Sequence, residues 1–315
     1  MEAIKFDSYG AQTNFYWTNV PTPQPAKGQL LVSVKAVSIN PVDWKIRKGE
    51  MILFMNKKFP KGLGVDFAGV VETVGEGVSE FKKGDEVFGW LPYDLAGSVA
   101  EFVVADATLT VKKPANISFV EASTLPMACI ASITALIDNA NLTEGTSVLI
   151  NGCTGGVGQF ASMIAKASGA RVSGTCNAAS MAIAKEIGVD VVIDYAKTNV
   201  LEGSKKYDVI FDTVGNLTLS KSKAIMTDRS IFLELNPTLP NMFFGSILNL
   251  FCSKKVKTVL AKASSDKMLM IANWSSQGLL KPIVGRKYDF KDALTAYQNM
   301  ENGEKNIGKT VIINL

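Results

Sequence analysis

A chain of 315 residues with 47% apolar content exceeds what one hydrophobic core usually serves, and implies two compact lobes. Its 33 basic and 29 acidic residues leave a formal charge of +4, without the concentrated positive field of a nucleic-acid or anionic-membrane binder, so the lysine clusters Lys57, Lys58, Lys61 and Lys254, Lys255, Lys257 read as solvated surface. The sequence has no histidine, which excludes Ser-His and Cys-His dyads, histidine-ligated zinc and histidine acid-base chemistry, and turns any catalysis toward a bound cofactor.

The N-terminus, "MEAIKFDSYG", opens as a strand without the pattern of a secretory signal. Pro21, Pro23 and Pro25 mark an extended connection. Apolar runs at 30–37, 68–74, Glu86–Trp90 and 99–104 predict strands, with turn signals at 75–77 and 82–85 between them. From about Ile117 the texture changes to helix-strand alternation: a helix near 120–139, a strand Ser147–Asn151, a helix 157–168, a strand 171–175, then strands Val191–Asp194, 209–212 and 231–235. Such alternation predicts a parallel sheet covered on both faces. A strand at 256–261, a helix near 266–277 and the strand-like "GKTVIINL" complete the chain. The cysteines Cys129, Cys153, Cys176 and Cys252 lack disulfide-framework or thiolate-zinc spacing and fit a reducing cytosol. The longest apolar block, 242–252, is about half of the roughly 20 residues that a membrane span needs.

Gly152, Gly155 and Gly158 stand at intervals of three, with Gly156 added, after the strand "SVLIN" and before the helix "VGQFASMIAKA". A strand, a glycine turn and a helix in that order aim the N–H groups around Thr154, Gly155, Gly156, Val157 and Gly158 at one point, which suits a diphosphate. The competing reading is a turn made tight by glycine alone. The next strand runs into "GTCNAAS", with no acid before Glu186. A carboxylate there would accept from a ribose 2′-hydroxyl and repel a 2′-phosphate, so its absence favours NADPH, with NADH the alternative and Asn177, Ser180 and Tyr195 as hydrogen-bond donors.

The segments "SINPVDWKIRKG", "GVDFAGVVETVGEGVSEFKKGDEVFG", "GSVAEFVV", "TGGVGQFA" and "GKTVI" fall in an order that resembles the zinc-independent quinone oxidoreductases of the medium-chain dehydrogenase/reductase superfamily, over nearly the whole chain. The resemblance implies an α/β protein: a GroES-like, β-rich catalytic domain from residues 1–118 and 263–315, a Rossmann domain with a doubly wound parallel sheet from 119–262, and a cleft where nicotinamide meets substrate. Zinc-dependent relatives would place a cysteine near Asn40 and a histidine near Val65; this chain has neither, so the resemblance implies no metal and an acceptor that takes hydride unaided, a quinone, enone or enal.

Residue by residue, Asn40 and Asp43 match the segment bordering nicotinamide and substrate, Asn40 as an oxyanion donor and Asp43 as a catalytic or a loop-capping carboxylate. Lys45 matches the subgroup that includes plant enone reductases and would either stabilise enolate charge or stand exposed without a function, with Trp44 beside the substrate. Val214 and Gly215 in "FDTVG", and Leu235 and Asn236 in "LELNP", match strand ends facing the nicotinamide. Met242, Phe243 and Phe244 line an apolar pocket or pack in a core. Two places depart from the family: Ala131 replaces a threonine, and the basic residue after the second strand falls near Ala179 or Met181. The resemblance further implies a cytoplasmic homodimer joined partly through the edge strand near 256–261. Two other classes stay open, a cofactor-binding protein of crystallin-like or RNA-associated kind with little catalysis, and an enoyl-thioester reductase. The latter would need a tyrosine near Lys45, and none occurs between Tyr16 and Tyr93.

Overall fold

The computed structural model of the chain describes residues 1–10, 14–52, 55, 58–236, 249, 253–304 and 306–314. Lys57, Met242, Phe243, Phe244 and Cys252 lie outside the described residues. Contacts divide the chain into two units: Met1–Met127 with Ala263–Gly278 and Pro282–Leu315, and Ala128–Lys262 with Leu279–Lys281.

The first unit is built on β3 (Gln29–Ser38), whose near-continuous apolar run is buried because strands lie on both its edges. It pairs antiparallel with β5 (Asp66–Val74), with β7 (Phe102–Asp106) and with β16 (Lys309–Ile313). The seven-stranded sheet is completed by β6 (Glu86–Trp90) and β8 (Thr110–Lys112) at one end and β15 (Val284–Asp289) at the other. A separate sheet holds β1 (Glu2–Phe6) between β2 (Phe15–Asn19) and β4 (Lys61–Gly62). Lys61 corrects the reading of its cluster as solvated surface: it is buried at 7% exposure, paired opposite Phe6 with its ammonium 5.7 Å from the Phe59 ring. Pairing with β1 and the nearby Phe59 ring cover its aliphatic stem, which outweighs the hydration of its charge.

Helix α1 (Pro41–Lys48) leaves no apolar stripe in the sequence, yet its ends are written there. Proline occupies its first turn, Asp43 sits near the N-terminus, basic residues fill the last turn, and Gly49 closes it at φ 86°. On its inner face Arg47 donates to Glu301 Oε2 at 2.6 Å and to the Gly10 carbonyl at 2.7 Å. Glu301 is the last residue of the helix Ala293–Glu301 in the returning segment.

In the second unit, β9 (Ser147–Asn151), β10 (Arg171–Cys176), β11 (Val191–Asp194), β12 (Tyr207–Asp212), β13 (Met226–Glu234) and β14 (Lys255–Thr258) form one parallel sheet in the order β11-β10-β9-β12-β13-β14. The order reverses beside β9, where doubly wound sheets bind ligands beyond their carboxyl ends. Every residue of β9 is buried. Leu149, Tyr207, Ile210, Ile225, Met226, Phe232 and Val256 form a core on this sheet. The single helix expected near 120–139 is instead α2 (Phe119–Ser123), α3 (Pro126–Ile133) and a π-helical turn Thr134–Asn139. Pro126 lacks the N–H that would continue the first helix and so begins the second. The helix α4 (Gly158–Ala167) follows the glycine turn as expected.

Candidate active site

In the second unit the glycine turn leaves β9 at Gly152, whose φ of 82° requires glycine; a Cβ there would also lie 2.6 Å from Val214 Cγ2. Gly158 is required by packing, since its Cβ would stand 2.0 Å from the Gly152 carbonyl oxygen. Gly155 differs. Its φ lies outside the left-handed region and a Cβ would meet only the Gly152 carbonyl, at 3.3 Å. Neither a left-handed backbone nor a severe clash therefore requires glycine at 155; a Cβ there would stand close to the backbone amides that a diphosphate at this turn would reach. No side chain caps α4; Gly155 N donates to the Gly152 carbonyl at 3.0 Å and Gln159 N to the Gly155 carbonyl at 3.1 Å, so the N–H groups of Gly156, Val157 and Gly158 are the ones such a ligand would meet.

The carboxyl ends of three strands are tied together beneath this turn. Asn151 donates to Asp212 Oδ1 at 2.8 Å and to Asn216 Oδ1 at 2.7 Å, and accepts at Oδ1 from Thr175 at 2.6 Å. The Thr175 hydroxyl in turn accepts from Gly152 N at 2.9 Å. Asp212 accepts backbone N–H bonds from Val214, Gly215 and Leu217, so one carboxylate shapes the turn carrying Val214 and Gly215. The glycine spacing points to Thr154, Gly155, Gly156, Val157 and Gly158, and the family resemblance to Val214 and Gly215, but neither points to Asn151, Thr175 or Asp212, although Asp212 belongs to the quoted "FDTVG".

At the end of β10, Asn177 Oδ1 accepts from Ser180 N at 3.0 Å and from Ser180 Oγ at 2.7 Å, and Thr154 donates to Ser180 Oγ at 3.1 Å. Ser180 is 1% exposed, which corrects the expectation that its hydroxyl meets a phosphate: it is spent on the turn, and it holds Asn177 with the amide oxygen inward. The half-buried Asn177 keeps its N–H groups without a partner among the described residues, and Tyr195 is exposed beside it, its N–H bonded to the Cys176 carbonyl. Cys153 and Cys176 neighbour each other, and burial pushes the Cys153 thiol up, with Cys176 adding to the shift. Leu235 N donates to the Asp212 carbonyl, and the Asn236 amide approaches the place a Gly215 Cβ would take.

In the first unit, Asn40, Asp43, Asp66, Tyr297 and Lys309 form one buried polar cluster. Asn40 Nδ2 donates to Asp66 Oδ2 at 2.8 Å and to the Ser38 carbonyl at 3.3 Å, while its Oδ1 accepts from Lys309 Nζ at 2.5 Å. Both amide hydrogens are thus committed, and Asn40 does not present the expected donor to a substrate oxygen; the nearby carboxylate competes for it. Asp43 Oδ2 accepts from Asn40 N at 2.8 Å and from the Tyr297 hydroxyl at 3.0 Å, which makes it the capping carboxylate of α1, while Oδ1 is sealed without a partner. Burial pushes Asp43 up to about 7, helped by the Asp66 charge and opposed by the Asn40 N–H, Tyr297 and Lys309. Burial likewise raises Asp66, against Lys309, Asn40, Ser38 and the Met127 N–H. Lys45 and Trp44 lie half-buried on α1. Among the described residues no group of three or more Cys, Asp or Glu side chains could hold a metal ion, and no helix is long and apolar enough to cross a membrane.

Residues 26–115 match the family described as the alcohol dehydrogenase GroES-like domain, and 187–312 the one described as zinc-binding dehydrogenase. The chain is 32% identical to the chloroplast envelope quinone oxidoreductase homolog of Arabidopsis thaliana, over 99% of this chain and 98% of that one. Among solved structures, the quinone oxidoreductase from Coxiella burnetii superposes with a TM-score of 0.87 at 28% identity, covering 100% of this chain and 99% of the other. The Escherichia coli quinone oxidoreductase complexed with NADPH gives 0.85 at 26% identity, with 100% of each chain covered.

Proposed function

We propose a function from the premise that this chain belongs to the quinone oxidoreductase group of the medium-chain dehydrogenase/reductase superfamily: reduction of a quinone or an α,β-unsaturated carbonyl by NADPH, without zinc. The observation that carries it is the glycine turn between β9 and α4, which leads into the uncapped N-terminus of α4 at the point where the strand order reverses. When bound there, NADPH supplies hydride to an electron-poor π-system. Thr154, Gly155, Gly156, Val157 and Gly158 would hold the diphosphate, and Asn177 and Tyr195 would donate to the ribose phosphate. Val214, Gly215, Leu235 and Asn236 would border the nicotinamide. The amide orientation of Asn177, set by Ser180, offers donors and no carboxylate, which suits a phosphate better than a hydroxyl.

Absence of zinc is supported by the chemistry at the positions where zinc-dependent relatives carry ligands. Asn40 already accepts from the Lys309 ammonium, and Val65 offers no donor. Asn40 and Asp43 then act as positioning groups, Asp43 fixing α1 and with it Lys45 and Trp44. A homodimer joined partly through β14, the last strand of its sheet, belongs to the same reading, although Asn249 already pairs with Val256 N and the Val256 carbonyl; the buried thiols of Cys129, Cys153 and Cys176, in no disulfide, fit a reducing compartment such as the cytoplasm.

The test is acceptor-dependent oxidation of NADPH by the purified protein over a panel of quinones, enals and enones. Turnover is expected and should persist in a metal chelator. Absence of turnover with the whole panel, or its loss in chelator, would overturn the corresponding part of the reading.

A further inference from the structure

After β6 the chain runs through a short loop that is anchored at both feet to the residues preceding Asp66. Leu91 N donates to the Val65 carbonyl at 2.7 Å, and Gly97 N to the Gly64 carbonyl at 2.8 Å. The packing is tight enough that a Cβ on Gly62 would lie 2.4 Å from Gly97 Cα. Within this loop Tyr93 opens the 3-10 turn Tyr93–Leu95, closed by a Leu95 N–H bond to the Pro92 carbonyl at 2.7 Å. The Tyr93 ring packs on the Trp90 ring in an edge arrangement, centroids 5.4 Å apart. Trp90 is the direct antiparallel partner of Asp66, and such partners project from the same face of a sheet. Tyr93 is therefore held above the cluster of Asn40, Asp43 and Asp66.

Its ring is half-buried, and its hydroxyl is not sealed and has no partner among the described residues. Beneath it the Trp90 indole N–H and Asp43 Oδ1 are sealed without partners. Burial, then the charges of Asp66 and Asp43, push the phenol up to about 12. It keeps its proton and offers it as a hydrogen bond, since a tyrosinate would face two carboxyl groups. Asn40, the expected donor, has no hydrogen to spare.

We propose that Tyr93 is a catalytic residue, its hydroxyl donating a hydrogen bond to the acceptor's carbonyl oxygen as charge collects there. This rests on the oxidoreductase reading above. Overall, a C–H bond of NADPH would break and its hydride, with one solvent proton, would add across the acceptor, so that NADPH is oxidised to NADP+ as the π-system gains two electrons and a C–H or O–H bond at each end; the Tyr93 O–H bond stays intact throughout.

The experiment compares the full-length protein with Tyr93→Phe and Lys45→Met. Removing one such donor should lower kcat about 100-fold, with the NADPH Kd and the melting temperature within error of wild type. A second readout is quenching of tryptophan fluorescence by 1,4-naphthoquinone in the NADP+-loaded protein, expected to weaken in Tyr93→Phe. Unchanged turnover and quenching in Tyr93→Phe, or a loss of turnover confined to Lys45→Met, overturns the assignment. If wild type itself turns over no acceptor, the oxidoreductase reading fails, and the quenching comparison alone decides whether Tyr93 meets a carbonyl.

Discussion

Asp43 illustrates how one side chain takes its character from what surrounds it. As a free carboxylic acid it would ionise near 3.8, but in the folded chain it holds its proton to about 7. The unfolded chain therefore releases this proton first as pH rises, and the folded state binds more protons between the two values. By linkage, the Asp43 contribution to stability is greatest below about 4, declines through the window up to about 7, and is level above it. Asp43→Asn keeps an oxygen to accept from Asn40 N and Tyr297 and removes the ionisation. The variant should gain melting temperature relative to wild type steadily between pH 4 and 7 and no further beyond; parallel melting curves for the two proteins across that range would contradict this account.

At the scale of the element, the turn between β9 and α4 separates two uses of glycine. Gly152 and Gly158 serve the fold, one by its backbone conformation and the other by lying against the Gly152 carbonyl. Gly155 is the one whose role, in the proposed function, is to admit the diphosphate. Gly155→Ala is thus expected to melt close to wild type while its NADPH affinity falls at least tenfold, whereas Gly158→Ala should lose stability with or without the dinucleotide. Calorimetric titration and thermal melts on both variants check this, and a Gly155→Ala protein with unaltered affinity would remove the diphosphate from the turn. The same distinction is hidden in the sequence, where the glycines look alike and differ only in what their missing Cβ atoms would strike.

Across the whole molecule, the first unit closes by bringing distant parts of the chain together. Strand β16 lies between β15 and β3, Lys309 reaches Asn40, and Arg47 meets Glu301 with side-chain exposures of 1% and 4%. A buried guanidinium that loses its carboxylate costs about 3–5 kcal/mol, because its neutral neighbours, the Gly10 carbonyl and the Phe15 ring among them, do not offset desolvation. Glu301→Ala should accordingly lower the melting transition of this unit by about 10 °C. Limited proteolysis should cut the N-terminal and returning segments more readily in the same variant. A shift below about 2 °C would mean that the pair contributes little.

Local sequence patterns were enough to find the parallel strands, the helix after the glycine turn, the cofactor class and the absence of an acid after β10. Each of these depends on neighbours in the chain: periodicity, a turn residue, a missing charge. The family likeness placed both ends of the chain in one domain and matched Asn40 and Asp43 to a segment expected to border nicotinamide and substrate. Only the tertiary structure decided what those side chains do there. The hydrogens of Asn40 go to Asp66 and to the Ser38 carbonyl, Ser180 turns inward to orient Asn177, Lys61 is buried, and Tyr93 is carried to the carboxylates by a loop anchored on Gly64 and Val65. The physical reason is that a hydrogen bond or a desolvation cost depends on which groups share a volume, and the groups that share these volumes stand tens to hundreds of residues apart in the chain.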